Sequence, residues 1–314
     1  MKPDDHDDPV WVLTGPTASG KTALGIAIAE AVGAEIVSMD SMAVYRRMEI
    51  GTAKPTAEER ARVRHHLIDV VDPDQGFDTA RFCTLAQQVL DDARARGVQL
   101  LFVGGTPLYL MAFFKGMVEG PAADPALRAE LEQREDREPG ALHAELERVD
   151  PDAAGRIHRK DRRRLVRALE FLRLTGRPIS TAQDHFESPG WLRPCRIVAI
   201  ARDRDDLHRR VRARTEKMLD DGLLEETRGI EAGGGFSATA GAAIGYAECR
   251  EFLRGRFKDR EELRNRIRRS THRLIRRQTT WLRRLREVVW LSPEAGVEGA
   301  LRALETEARG PQHR

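Results

Sequence analysis

The sequence predicts an α/β fold: a P-loop-type core with a parallel sheet flanked by helices, plus a helical insertion domain. Three observations carry this. Short apolar runs alternate with helical stretches over the first third of the chain, the pattern of a sheet wrapped by helices. The octapeptide GPTASGKT follows one such run directly. After Gly120-Pro121 the texture becomes charged, helical and free of strand-like runs.

Taken in order, VWVLT (10–14) reads as a short buried strand and runs straight into GPTASGKT (15–22). The Ala-rich stretch TALGIAIAEAV has strong helix propensity. AEIVSMDS (34–41) reads as a second strand that ends on polar residues. A helix is expected near 79–96, with Gly97 as its stop. VQLLFVGGT (98–106) is the third strand, and RIVAIA (196–201) returns the chain to the sheet. Residues 204–231 and 259–286 read as long helices, with Gly233-Gly234-Gly235 as a flexible loop between them. From about 292 onward a loosely packed tail is expected. The domain organisation is therefore 1–119 and 191–314 as the core and 120–190 as the insertion.

Composition narrows the function classes. The chain has 314 residues, three cysteines and a net charge of only +3. Cys83, Cys195 and Cys249 lack metal-ligand spacing, which fits a reducing compartment without a disulfide framework. There is no basic start followed by an apolar run and no stretch of about 18 apolar residues, so the expected address is the cytoplasm, with no membrane segment. Charge is distributed unevenly: Asp4, Asp5, Asp7 and Asp8 make the start acidic, while Arg156–Arg177 and Arg260–Arg286 are basic. Such stripes are either a nucleic-acid footprint or solvated helical faces.

GPTASGKT matches GxxxxGK[ST] in full, in the required strand-to-helix setting. Its residues Gly15, Pro16, Thr17, Ala18, Ser19, Gly20, Lys21 and Thr22 are expected to cradle phosphate oxygens with backbone N–H groups and the helix N-terminus. Lys21 supplies a point charge, and the Thr22 hydroxyl is the candidate Mg²⁺ ligand. The strand LLFVGGT ends without the acidic residue that usually accompanies a nucleotide P-loop. Asp40, where IVSMD leaves the sheet, is a candidate proton acceptor. Thr106 could orient the same reacting group. Each taken alone would be read as a cap or turn residue.

GPTASGKT, SMDSMAVYRRMEIGTAKP, RHHLIDVVDP, LFVGGTPLYL and RRQTTWLRR occur in this order. With them the chain resembles the tRNA dimethylallyltransferase (tRNA isopentenyltransferase) family, from about residue 10 to about 291. The resemblance implies transfer of a dimethylallyl group from dimethylallyl diphosphate to N6 of adenine 37 beside the anticodon, with Mg²⁺ assisting. The P-loop would then hold a leaving diphosphate. Asp40 matches the family's general base, and Thr106 the threonine that hydrogen-bonds the same amine. The tRNA contacts implied are Asp40, Ser41, Met42 and Ala43, Thr106, Arg128, Arg163, Arg164, Leu165, Val166 and Arg167, and the segment from Thr271 to Gln278, which includes Arg276 and Arg277. The insertion would close over the anticodon stem-loop, with Arg162 to Arg164 and Arg167 meeting phosphates. The partners implied are thus the tRNA anticodon stem-loop and dimethylallyl diphosphate, with the enzyme acting as a monomer.

Four positions depart from the family pattern. Ala43 stands where Gln is common, Pro107 where Gly is common, His272 where Arg is usual, and Ile275 where a smaller residue is usual. The absence of a Cys/His zinc finger at the C-terminus resembles the bacterial form. Three rival readings remain: a P-loop small-molecule kinase, an adenylate isopentenyltransferase acting on free nucleotide, and a non-enzymatic binder with a relict P-loop. The VGGT segment opposes the first. The insertion and the basic C-terminal helix oppose the second, and the intact Gly20-Lys21-Thr22 opposes the third.

Overall fold

Aliphatic and β-branched runs form buried strands when both sheet faces are covered. The computed structural model describes residues 9–116, 120, 121, 123–183 and 191–306. The acidic run Asp4 to Asp8 and residues 184–190, next to the expected domain boundary, lie outside these. The strands are β1 (Val10–Thr14), β2 (Glu35–Ser38), β3 (His65–His66), β4 (Leu100–Val103), β5 (Cys195–Ile200) and β6 (Val288–Leu291). They make one sheet in the order β3-β2-β4-β1-β5-β6, and every pairing is parallel. The register sets Val12 opposite Phe102 on one side and Ile197 on the other.

The chain divides into two compact units, Met1–Phe114 with Arg193–Arg314, and Lys115–Leu192. In the first, α1 (Lys21–Val32), α2 (Ala57–Arg62), α3 (Thr79–Arg96) and α4 (Pro107–Phe114) precede the insertion. The bounds of α3 follow from its caps. Asp78 accepts from the Arg81 N–H, and Gly97 takes the left-handed conformation (φ 63°) that closes the helix. α1 lies so close to β4 that a Cβ on Gly25 would come within 2.9 Å of the Val103 side chain. Pro107, one of the family departures, opens α4, where a missing N–H costs nothing.

The second unit contains α5 (Pro125–Arg137), α6 (Ala141–Val149), α7 (Pro151–Arg156), α8 (Arg162–Thr175) and α9 (Ile179–Gln183). Its core is Leu131, Leu142, Leu146, Leu165, Leu169 and Phe171. Beside them sits one fully buried carboxylate, Glu170. It accepts from Arg128 Nε (2.7 Å) and Nη2 (2.9 Å), from Arg167 (2.6 Å) and from the Asp124 N–H (2.8 Å). Burial alone would raise the Glu170 pKa, but the hydrogen bonds from Arg128 and Arg167 outweigh it and hold the carboxyl below the usual range.

The first unit resumes with α10 (Arg204–Asp220), α11 (Leu223–Ala232), α12 (Tyr246–Leu253), α13 (Arg260–Leu282) and α14 (Gly296–Glu305). Three expectations need correction here. The helix expected over 204–231 is two helices, because Gly222 takes a left-handed φ of 100° and breaks the run. The helix expected to reach 286 stops at Leu282, and Val288–Leu291 adds the outer strand β6. The described part of the expected loose tail is folded, while 307–314 lie outside the described residues: α14 buries Ala300 and Leu304 completely, in the same core as Leu13, Ile26 and Val198. Its apolar residues repeat at helical spacing, which a composition-level view of the C-terminus passes over.

The anchoring role of α14 gives a stability test. Leu304→Ala is expected to lower the unfolding free energy by about 2–5 kcal/mol, read by denaturant unfolding. A change near zero would mean that the terminal helix is not part of the cooperative core.

Candidate active site

In parallel sheets, ligands collect where strands end at their carboxyl edge. β4 lies between β2 and β1, so the loops that follow these three strands stand side by side. They carry the P-loop, Asp40 and Thr106. The junction is tight. A Cβ on Gly104 would lie 2.2 Å from the Met39 carbonyl oxygen, and one on Gly105 would lie 2.7 Å from Gln278 Nε2 and 3.2 Å from Lys21 Nζ. The Gly-Gly pair thus lets two backbones and the lysine approach without side chains between them.

The P-loop is shaped by three left-handed residues, Gly15 (φ 138°), Ala18 (φ 65°) and Gly20 (φ 96°). Lys21 Nζ donates to the Pro16 carbonyl (3.3 Å). Burial pushes the Lys21 pKa down to about 8 against the opposing pull of Asp40, and the Arg214 guanidinium lowers it further. Not every N–H expected to face phosphate is available. That of Thr17 donates to Gln278 Oε1 (2.9 Å), and that of Ser19 to the Pro16 carbonyl (3.2 Å). The Ser19 hydroxyl is buried with no hydrogen-bond partner. Such an orphan is uncommon in a native interior, and a phosphate oxygen would satisfy it.

Lys21, Thr22 and Asp40 line one cavity, together with Gly104 and the 52–55 loop. Asp40 Oδ1 accepts from the Met42 N–H (2.8 Å), which fixes the carboxylate at the strand end. Thr106 Oγ1 accepts from the Ser41 N–H (3.2 Å), and this keeps Thr106 beside Asp40. Among the described residues no group of three or more His, Cys, Asp or Glu could hold a metal. The hard oxygen donor at Thr22 fits Mg²⁺, which takes few protein ligands when substrate phosphates and water complete its shell.

The motif gave no sign of a set of arginines from the second half of the chain. Arg202 Nε donates to the Ser19 carbonyl (2.6 Å), and Arg210 Nε to the Ala18 carbonyl (2.7 Å). Arg214 reaches Thr17 Oγ1 and the Thr52 carbonyl, both at 3.3 Å. The spacing of Arg210 and Arg214 on one helix face was the available signal.

The residues implied as tRNA contacts separate into distinct settings. Ser41 and Met42 are partly buried beside Asp40, while Ala43 is buried. Leu165 and Val166 are core residues of the helical unit, so their side chains offer RNA no surface. Arg128 and Arg167 are engaged by Glu170, and Arg164 pairs with Asp161. Arg163, Arg276 and Arg277 are exposed. Thr271 donates to the Ile267 carbonyl. Gln278 is buried, and its amide joins two loops: it accepts from Thr17 and donates to the Gly105 carbonyl (2.6 Å). His272 stacks on His208 with ring centroids 4.1 Å apart.

Residues 43–285 match the family model described as IPP transferase. The chain is 45% identical over 296 residues to a tRNA dimethylallyltransferase of Anaeromyxobacter dehalogenans, covering 94% of this chain and 98% of the relative. It is 45% identical over 300 residues to one from Methylococcus capsulatus, covering 93% and 94%. The tRNA isopentenylpyrophosphate transferase of Bacillus halodurans superposes with a TM-score of 0.64 at 35% identity, over 90% of this chain and 89% of that one. A eukaryotic dimethylallyltransferase acting on tRNA superposes with a TM-score of 0.74 at 25% identity, over 91% and 74%.

The depressed Lys21 pKa sets a pH dependence. Lys21 loses its charge as pH rises through about 8. Affinity for inorganic diphosphate should therefore decline above that point relative to Lys21→Met, by at most about tenfold per pH unit. Titration calorimetry across this range checks it, and parallel profiles for the two proteins would remove Lys21 from the anion site.

Proposed function

The chain belongs to the tRNA dimethylallyltransferase (IPP transferase) family, and from that premise we propose that it transfers a dimethylallyl group from dimethylallyl diphosphate to N6 of adenine 37 in tRNA anticodon loops. The observation that carries the site assignment is the shared cavity of Lys21, Thr22 and Asp40. It puts an anion cradle and a carboxylate at one strand edge. No helix among the described residues is long and apolar enough to cross a membrane, and a tRNA substrate supports the reading of a cytoplasmic enzyme.

The exocyclic amine of adenine is a weak nucleophile, because its lone pair is delocalised into the ring. As N6 bonds to C1 of the donor, the C1–oxygen bond breaks and diphosphate leaves with the electron pair. Asp40 takes the proton that N6 must lose. Thr106, held by Ser41, orients the amine. Lys21 and the free P-loop N–H groups stabilise charge growing on the leaving diphosphate. Thr22 would help hold Mg²⁺, which offsets the same charge when bound. To reach Asp40 the adenine must leave its stack, which costs less in a loop than in a duplex.

RNA binding is assigned to the exposed basic residues. Arg276 and Arg277 on α13 and Arg163 on α8 are the phosphate contacts, since their charge is not consumed by internal carboxylates. Such contacts orient the stem-loop without reading its sequence.

The defining assay mixes protein, Mg²⁺ and unmodified tRNA with radiolabelled dimethylallyl diphosphate, with AMP as a parallel acceptor. Label should enter tRNA and not AMP; label in AMP would make the protein a free-nucleotide enzyme. Asp40→Asn should lower turnover by about 10²–10⁴-fold with tRNA affinity kept, and an undiminished rate would remove Asp40 as the base. Replacing Arg276 and Arg277 together by Ala should flatten the log–log salt dependence of tRNA binding by about 1–2. An unaltered slope would place the RNA elsewhere.

A further inference from the structure

The loop between β2 and α2 walls two cavities at once. Ala53, Lys54 and Pro55 line the small cavity of about 50 Å³ that contains Lys21, Thr22 and Asp40. The same three residues line a second, larger groove of about 510 Å³. That groove is built mainly from apolar groups, among them Ile50, Ala57, Ala213 and Met218, with Arg60 and Lys217 among its charged lining residues. The 53–55 segment is therefore a wall common to the cavity of Asp40 and Lys21 and to this second groove.

The partition is held rigidly. Lys54 Nζ donates to the Tyr45 carbonyl (2.6 Å), Glu49 (2.9 Å) and Asp69 (2.6 Å), with its side chain only 1% exposed. The Glu226 carboxylate accepts from the Glu49 and Ile50 N–H groups, both at 3.1 Å. The Tyr246 hydroxyl donates to Glu226 and accepts from the Gly51 N–H (3.1 Å). Gly51 has no room for a side chain, because a Cβ would lie 2.3 Å from the Tyr246 ring. Within this fixed frame Ala53 has a φ of 48°. That conformation suits glycine better than alanine, and non-glycine residues held there gather at functional sites.

We propose that Ala53 sets the length limit of the prenyl donor, and that the groove behind it is where the second isoprene unit of a ten-carbon allylic diphosphate would lie. The inference rests on the proposed dimethylallyl transfer. The occupant follows from continuity: the groove shares its wall with the cavity that holds the reacting end, and the surface it presents is largely apolar carbon, although Glu49, Arg60, Arg214, Lys217 and Asp221 also line it. The chemical step is unchanged for the longer donor. N6 bonds to C1, the C1–oxygen bond breaks, diphosphate leaves with the electron pair, and the N6 proton goes to Asp40.

The test compares dimethylallyl and geranyl diphosphate as donors to tRNA, with kcat/KM measured for each. Ala53→Gly removes the methyl and relaxes the backbone. It should raise the geranyl-to-dimethylallyl ratio by about tenfold or more, the scale on which a change of one carbon alters discrimination in an apolar pocket. Ala53→Gly combined with Ala213→Trp, which fills the groove from an exposed position, should return the ratio toward the wild-type value. Ala53→Leu should lower kcat/KM for dimethylallyl diphosphate while affinity for inorganic diphosphate stays within about twofold, since the added bulk meets the tail and not the phosphates. A ratio within about twofold of wild type in Ala53→Gly, with dimethylallyl transfer intact, overturns the inference alone. Gain of geranyl transfer that survives Ala213→Trp overturns the groove as its site. Absence of dimethylallyl transfer by the wild-type protein overturns the proposed function and this inference with it.

Discussion

The contact between the ends of β2 and β4 governs the site. Gly104 brings its backbone against the carbonyl of Met39, at a separation that would leave a Cβ only 2.2 Å from the oxygen. Any side chain there would push the two strand ends apart. Asp40 and Thr106 would then no longer be neighbours, and the hydrogen bond from Ser41 to Thr106 would be lost. Gly105 extends the same constraint to Lys21 and Gln278. Asp40 and Lys21 are thus placed by the absence of two side chains.

Around that contact the second half of the chain finishes what the motif begins. Gln278 bridges Thr17 and Gly105, so a residue of α13 fixes the spacing between the P-loop and β4. Arg202, Arg210 and Arg214 take up carbonyl or hydroxyl oxygens on the loop. These contacts set three guanidinium groups against the loop, and one of them, Arg214, adds to the burial that lowers the Lys21 pKa. The P-loop here is a local sequence whose shape depends on distant residues.

Much of this was legible from the residues. The motif, the alternation of strands and helices and the strand-end positions of Asp40 and Thr106 follow from local chemistry, and the end of α3 follows from Gly97. What sequence could not supply was partnership across the fold. His65–His66 is too short to signal a strand and exists because β2 offers an edge. Arg128 and Arg167 look like solvent-facing cations, and only the tertiary fold brings buried Glu170 to them. Gln278 lies in a segment implied to touch RNA, yet its amide is spent inside the protein. The C-terminal helix departs from the expected loose tail because Ala300 and Leu304 find a buried place in the core of the sheet.

The P-loop core is discontinuous in sequence, and this has consequences for how the chain is made. β1 sits between β4 and β5, so one of its two neighbours leaves the ribosome only after the whole helical unit. Until then β1 presents an unpaired apolar edge, a feature that invites misassembly. Lys115–Leu192 has its own apolar core and a buried, fully satisfied carboxylate, so it has what it needs to condense while the sheet waits. Completion of the sheet then depends on contacts distant in sequence, which form slowly because loop closure precedes their reward. The P-loop contacts of Arg202, Arg210, Arg214 and Gln278 can form only once the chain beyond the helical unit has been made, so a chain cut short before them carries the motif without these contacts.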